Sequence, residues 1–282
     1  PKLEIVARMQ ISSDNTDLDA CARRHVRVLQ ARSATVRSNA EYLLYGLLML
    51  YRRGMISALL GRKISQVRMG RELSGSTVGL LGLAPVAHTL APMLKSLGVR
   101  LLGYDPAVHH AAAIWNKLGV EPVTLQDMLS RSDAISLQMV YASRFRGWIN
   151  ERLLNHCKPG QLWVGVSRST LFDPDALALA LCDGRIDACL MDGANPQFAA
   201  EGTPLHGIPN LHLTPRLGSH TREAKLRASW YVAHRIHETL SPHSVGQEGR
   251  VSDFSVLDSL EYSEPEDPQA VTPSQWGSIA MH

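Results

Sequence analysis

The sequence predicts an α/β protein: a doubly wound parallel sheet holding most of the chain, and beside it a second, smaller α/β unit that lacks its N-terminal part. Two observations predict the sheet. From residue 76 onward, short apolar strand patterns alternate with amphipathic helical ones, as parallel strands joined by crossover helices require. Residues 77–106, "TVGLLGLAPVAHTLAPMLKSLGVRLLGYDP", then place a buried strand, a tight turn, a helix, a second strand and an acidic residue at that strand's end in one unit. A third observation predicts the incomplete unit: the first 40 residues offer two strand patterns, too few to bury a core of their own, and the chain starts without Met.

In chain order, "KLEIVAR" and "HVRVLQA" are the two early strands. Residues 36–53, "VRSNAEYLLYGLLMLYRR", form a long apolar helix expected to cross between the units. Its apolar run, residues 42–51, is about half the roughly 20 residues of a membrane span, which argues for a buried helix and against a membrane protein. "STVGLLGL", "VRLLGYD", "EPVTL", "DAISLQMV", "QLWVGVS", "ACLMDG" and "NLHLTP" supply the sheet. One helix is fully punctuated: Asp173 caps it, Pro174 suits its first turn, "DALALALC" fills it and Gly184 closes it. A last helix covers "LRASWYVAHRIHETL". The expected division is residues 1–40, a remnant of the small unit; 41–220, the doubly wound domain; 221–242, a helix returning to the small unit; and 243–282, an acidic, flexible tail.

Composition narrows the function. The formal charge of +3 conceals an acidic tail, because residues 251–282 carry Asp253, Asp258, Glu261, Glu264, Glu266 and Asp267 with no Lys or Arg. Those six acids contribute −6, so the remaining chain stands at +9. Arg23, Arg24, Arg52 and Arg53 lie in or beside helical patterns with no aromatic platform between them, which disfavours nucleic-acid binding. The four cysteines, Cys21, Cys157, Cys182 and Cys189, lack metal-ligand spacing and read as core thiols of a cytoplasmic protein. No metal is expected: His234 and His237 share a helix face, but no carboxylate or cysteine completes a site.

The turn at residues 82–87 carries the first chemistry. A dinucleotide-binding βαβ unit wants glycines at three places of this turn, for the turn itself, for approach of the pyrophosphate and for helix packing. Here those places hold Gly82, Ala84 and Ala87, with Pro85 and Val86 between. Proline suits the first turn of a helix, so a purely structural turn is one reading. On the other reading the lost N–H removes a charge-assisted phosphate donor, worth about 1.5–3 kcal/mol. Asp105 stands where an acidic side chain accepts ribose hydroxyls and rejects a 2′-phosphate. NAD is thus the expected cofactor, bound weakly or lost, and NADP is disfavoured.

The chain resembles the D-isomer-specific 2-hydroxyacid dehydrogenases, a family that includes phosphoglycerate dehydrogenase, glyoxylate reductase and the C-terminal-binding-protein corepressors. "SNAEYLLYGLLMLYRR", "GRELSGSTVGLLGLAPVA", "LSRSDAISLQM" and "LHGIPNLHLTPRLGSHTREA" carry the resemblance, and residues 168–216 align with a typical member without a gap. It implies a Rossmann-type NAD domain, a flavodoxin-like substrate domain and a homodimer. In the family an Arg orients the substrate, a His exchanges the proton as hydride moves, and a Glu raises the pKa of that His. Carried over residue by residue, these positions are Arg168, Arg216 and Gln197; only the first is retained. A guanidinium, with a pKa above about 12, cannot trade a proton near pH 7. His220, four residues past Arg216, is a candidate stand-in, although a surface or capping role suits it as well.

The resemblance places further residues. Gln10, Ile11 and Ser12 occupy the glycine-containing turn that holds the substrate carboxylate, Gln138, Met139, Val140, Tyr141 and Ala142 replace the turn near the nicotinamide, and Asp192 is kept where the nicotinamide amide is met. A degenerate member is therefore expected, non-catalytic and NAD-sensing or scaffolding, with Arg168 and Arg216 attracting a small anion. Two rivals stand beside it: an active oxidoreductase with rearranged acid and base, and a corepressor-like module that binds a protein partner.

Overall fold

Among the described residues seven strands, all parallel, form the main sheet, in the order Glu121–Pro122, Arg100–Tyr104, Thr77–Leu81, Ala134–Leu137, Gln161–Gly165, Ile186–Asp192 and Leu211–Thr214. The computed structural model describes residues 3–9, 16–31, 33–53, 69–140 and 142–241. Pro1–Leu240 belong to one unit, and of the second, Ser241–His282, only Ser241 is described. The expectations for Gln10, Ile11, Ser12, Tyr141 and the acidic tail therefore lie outside the described residues.

The two early strands, β1 (Ile5–Arg8) and β2 (Arg27–Gln30), pair in parallel around helix α1 (Leu18–Arg23). A 3-10 turn, Ser33–Thr35, leads into α2 (Val36–Tyr51). The main sheet then runs β3 (Thr77–Leu81), α3 (Pro85–Ser96), β4 (Arg100–Tyr104), α4 (Ala113–Leu118), β5 (Glu121–Pro122), α5 (Leu125–Arg131) and β6 (Ala134–Leu137). It continues with α6 (Glu151–Leu154), β7 (Gln161–Gly165), α7 (Pro174–Cys182), β8 (Ile186–Asp192), β9 (Leu211–Thr214) and the closing helix α8 (Arg222–Leu240).

Every residue of β3, β6 and β7 is buried, because helices cover both faces of a parallel sheet. One face packs Leu43, Leu47, Leu90 and Leu94 of α2 and α3 against Val78, Leu80 and Val164. The other packs Met128, Leu129, Leu177 and Leu181 of α5 and α7 against Leu137, Trp163 and Cys189. β4 lies on one side of β3 and β6 on the other, so the sheet changes winding direction there. Doubly wound sheets open a crevice at the carboxyl ends of the strands at this point.

The core beside the two-stranded sheet is thin. Ala31 and Ala34 meet Ala228 of α8, and Arg227 Nε donates to the Ala34 carbonyl at 2.9 Å. No residue of β1 or β2 is fully buried.

Local chemistry explains most boundaries. Asp173 accepts from the Ala176 N–H at 3.0 Å and caps α7, Pro174 opens that helix, and Gly184 beyond it adopts φ +82°. The "EPVTL" strand shrinks to Glu121–Pro122, since proline has no N–H to extend a ladder and the strand sits at the sheet edge. The cysteine expectation holds in part. Cys157 and Cys189 are buried, and burial pushes both thiols up to about 12, but Cys182 is exposed and Cys21 half-buried. Among the described residues no helix is long and apolar enough to cross a membrane.

α2 can approach the sheet because Gly46 has no side chain. A Cβ there would stand 2.7 Å from Val164 Cγ1 and 2.8 Å from Leu190 Cδ2. Gly46→Val should therefore destabilise the fold by about 1–3 kcal/mol, read as a lower urea midpoint at unchanged slope.

Candidate functional site

The carboxyl ends of β3, β4 and β6 meet at Gly82. This residue holds φ +97°, and a Cβ on it would lie 2.7 Å from the backbone N and Cα of Met139. Both conformation and close approach demand glycine. The turn is tied on every side. Gly82 N–H donates to the Tyr104 carbonyl at 2.9 Å, and Leu83 N–H donates to Asp105 Oδ2 at 2.6 Å. Asp105 Oδ1 accepts from Ala107 N–H at 2.8 Å. The Gly82 carbonyl accepts from buried Gln138 Nε2 at 2.7 Å, and Gln138 Oε1 in turn accepts from Ser136 Oγ at 2.7 Å. His88 bonds the Leu83 carbonyl, while burial, with the Lys117 charge adding to it, holds the His88 ring below the ordinary imidazole range.

The substitutions in this turn cost the backbone nothing. Ala84 has φ −61° and ψ 162°, an extended conformation open to any residue, and Pro85 occupies the first turn of α3. Ala87 is fully buried under the helix, and its N–H closes on the Ala84 carbonyl at 2.7 Å. The structural reading of the turn thus accounts for its shape. What changed is the donor set: Leu83 N–H is committed to Asp105 and Pro85 has none.

The other half of the edge is built around Asp192, at the end of β8 and 7 % exposed. Its Oδ1 accepts from Thr214 Oγ1 at 2.6 Å and from Leu217 N–H at 2.7 Å; its Oδ2 accepts from Gly218 N–H at 2.9 Å. Tyr42 of α2 joins the chain, 2.6 Å from Thr214 Oγ1. The Thr214 hydroxyl hydrogen points at the carboxylate, so Tyr42 is the donor. Burial, moderated by the Thr214 bond and reinforced by the Asp192 charge, pushes the phenol up to about 12 and keeps that proton in place. A Cβ on Gly218 would lie 2.8 Å from Asn39 Oδ1 and 3.0 Å from Asp192 Oδ2, so a larger residue there would have to displace them.

Arg216 sits inside this clamped turn at φ +58°, a left-handed conformation, and is exposed. Its stem crosses Gly193, whose Cβ would fall 2.7 Å from Arg216 Cγ and 3.5 Å from Nε. Arg168, also exposed, follows β7, and Gln197 lies exposed in the 3-10 turn Pro196–Ala199 beyond β8. Arg168, Gln197 and Arg216 therefore follow three neighbouring strands at one edge of the sheet. Ser169 Oγ accepts the Asn195 N–H at 3.4 Å and links two of these loops. Exposed His220 precedes α8, its N–H bonded to the Leu217 carbonyl at 3.0 Å.

Two features escaped sequence reasoning. His234 has a carboxylate neighbour, Glu238 at 3.1 Å one helical turn on, which the sequence reading did not name. Among the described residues no group of three or more potential ligands forms a metal site. Gln138 was read as the loss of a turn; the structure makes it the amide that pins the Gly82 carbonyl, and its neighbour Ser136, two residues back on the strand, was the available signal.

The sequence model described as "D-isomer specific 2-hydroxyacid dehydrogenase, NAD binding domain" matches residues 48–218. The chain belongs to that family. It is 31 % identical over 243 residues to the (S)-sulfolactate dehydrogenase of Chromohalobacter salexigens, covering 85 % of this chain and 78 % of that one. It is 34 % identical over 247 residues to the D-3-phosphoglycerate dehydrogenase of Mycobacterium tuberculosis, covering 86 % of this chain but 46 % of that one. The chain thus spans about half the length of this relative. Among solved structures, D-mandelate dehydrogenase from Rhodotorula graminis in its holo form superposes with TM-score 0.74 at 24 % identity, over 84 % of this chain and 71 % of that one. A Granulicella formate dehydrogenase gives 0.75 at 22 %, over 87 % and 67 %. These two likenesses bear on the fold.

An NAD-binding domain needs a turn that admits pyrophosphate and an acid that can take a ribose. In shape the residues fit: Gly82 keeps its left-handed backbone, and Asp105, with two oxygens bonded once each, retains acceptor capacity because a carboxylate offers about four lone-pair sites. In donors they fall one short at Pro85. The Asp192 turn itself makes two opposite predictions. Asp192→Asn, which turns a donor toward N–H groups, should cost about 1.5–3 kcal/mol. Arg216→Gly should gain about 1 kcal/mol by removing a side chain from a left-handed residue. Chemical denaturation of both variants checks the signs.

Proposed function

We propose that this family member binds a small acid anion at the carboxyl edge of its sheet, holds NAD weakly or not at all, and does not transfer hydride. One observation carries the reading: the residue at the place of the family's proton-exchanging His is Arg216, exposed and on a left-handed backbone. Its guanidinium stays charged near pH 7 and offers no proton to a developing alkoxide. Gln197 has no charge with which to tune a neighbouring base. Arg168 keeps the role of gripping a carboxylate in the bidentate manner suited to guanidinium.

For the cofactor, Val86 N–H at the start of α3 would face the phosphates, Asp105 the ribose hydroxyls, and Asp192 the nicotinamide amide. The carboxylate at 105 would repel a 2′-phosphate, so NADP is disfavoured. A homodimer through α2 suits the exposure of Tyr45 (56 %) and Leu48 (41 %) on its outer side. The likeness to (S)-sulfolactate dehydrogenase over 85 % of the chain favours a second reading, an NAD-dependent oxidoreductase on a 2-hydroxy or 2-oxo acid that draws its proton from water or His220.

NADH oxidation with glyoxylate and hydroxypyruvate separates the two. The native chain should give no turnover, and NADH titration by calorimetry should give a Kd above about 1 μM. Gln197→Glu with Arg216→His should remain nearly inactive, and activity should rise only when Ala84→Gly and Pro85→Arg are added. Robust reduction by the native chain, abolished in Arg168→Ala, would falsify the non-catalytic reading and establish the second.

A further inference from the structure

We infer that the carboxyl edge of the sheet tells the two redox forms of the dinucleotide apart, favouring the reduced form over the oxidised one, and that Arg216 sets the difference; this rests on the nicotinamide amide facing Asp192, as read above. The two forms differ by one charge at that end, since the oxidised nicotinamide ring is a cation and the reduced ring is neutral. Asp192 can take the amide of either. Three donors occupy its carboxylate, which offers about four lone-pair sites, and Oδ2 is bonded once, to the Gly218 N–H. The amide therefore does not discriminate, and the charge beside it does.

Gly193 follows Asp192 directly, and the Arg216 side chain crosses it. A Cβ at 193 would fall 2.7 Å from Arg216 Cγ and 3.5 Å from both Cδ and Nε, and the guanidinium carbon is one bond beyond Nε. The backbone beneath is held, because the N–H groups of Leu217 and Gly218 both donate to Asp192. Among the described residues no carboxylate forms an ion pair with Arg216, and Gln197 is uncharged. The acid of this turn, Asp192, is 7 % exposed and would draw a cationic ring in; Arg216 opposes that pull. Like charges at a partly desolvated edge repel more strongly than in water, whereas a neutral ring meets no opposition. An imidazole at this place could shed its proton before a cationic ring, but a guanidinium cannot.

Calorimetry on the full chain at pH 7.5 and low, constant ionic strength tests this with NADH, NAD+ and ADP-ribose, which has the adenosine and pyrophosphate but no nicotinamide. NADH should bind at least about 10-fold tighter than NAD+. Arg216→Gln, which removes the charge and keeps the length, should bring the ratio below about threefold by strengthening NAD+, with ADP-ribose unchanged. Arg216→Gly, which suits the left-handed backbone, should do the same, and Arg216→Lys should keep the preference. Added salt should narrow the native ratio. Equal affinities in the native chain, or a preference that survives both neutral variants, would overturn the proposal and leave the reading of a weakly binding, non-catalytic chain standing. No binding of NADH or ADP-ribose at millimolar concentration would overturn it as well, by showing the cofactor to be lost. A Kd for NADH below about 1 μM with the Arg216-dependent ratio intact would instead support the proposal and sink the weak-binding reading.

Discussion

One buried carboxylate organises half of the functional edge. Asp192 collects a hydroxyl and two backbone N–H groups from the residues after β9, and through Thr214 it reaches Tyr42 on α2. A charged acceptor buried without such donors would be costly; with them it ties β8, β9 and the long helix together. The turn carrying Arg216 has its shape because Asp192 dictates it. The opposite half follows the same logic with Asp105, which holds the nucleotide turn through Leu83 and Ala107. In both places a residue expected to serve a ligand first serves the backbone.

This dual use separates folding from chemistry. The nucleotide turn keeps its left-handed glycine, its buried Gln138 anchor and its acid, and it accommodates Ala84 and Ala87 without strain. Only the supply of N–H donors differs. At the other end Arg168, Gln197 and Arg216 stand exposed beyond the strands, outside the packed core. A scaffold satisfied internally can lose reactive groups one at a time and still fold.

The sequence made the strands of the main sheet legible, because apolar runs buried on both faces leave a strong pattern, as in "TVGLL" and "QLWVG". It also placed the cap at Asp173, whose chemistry is local. It failed where the deciding contact is distant. Cys182 and Cys189 look alike in the chain, but one lies on the outer side of α7 and the other in the sheet. Gln138 spans 56 residues to reach Gly82, and no local pattern announces such a bond. The candidate site was legible as residue types at aligned positions. Its geometry, above all the lean of Arg216 over Gly193, depends on a turn whose shape comes from a carboxylate 24 residues earlier.

The left-handed backbone at 216 also bears on how such a chain changes over time. Few side chains tolerate that conformation, but histidine is among those found there more often than most. The clamp holds the turn through the N–H groups of residues 217 and 218 and touches nothing of the side chain at 216. Arginine and histidine can therefore exchange at this position with little effect on the fold. Selection for stability is nearly blind to which of the two stands here, and only selection on what the side chain does could keep either one.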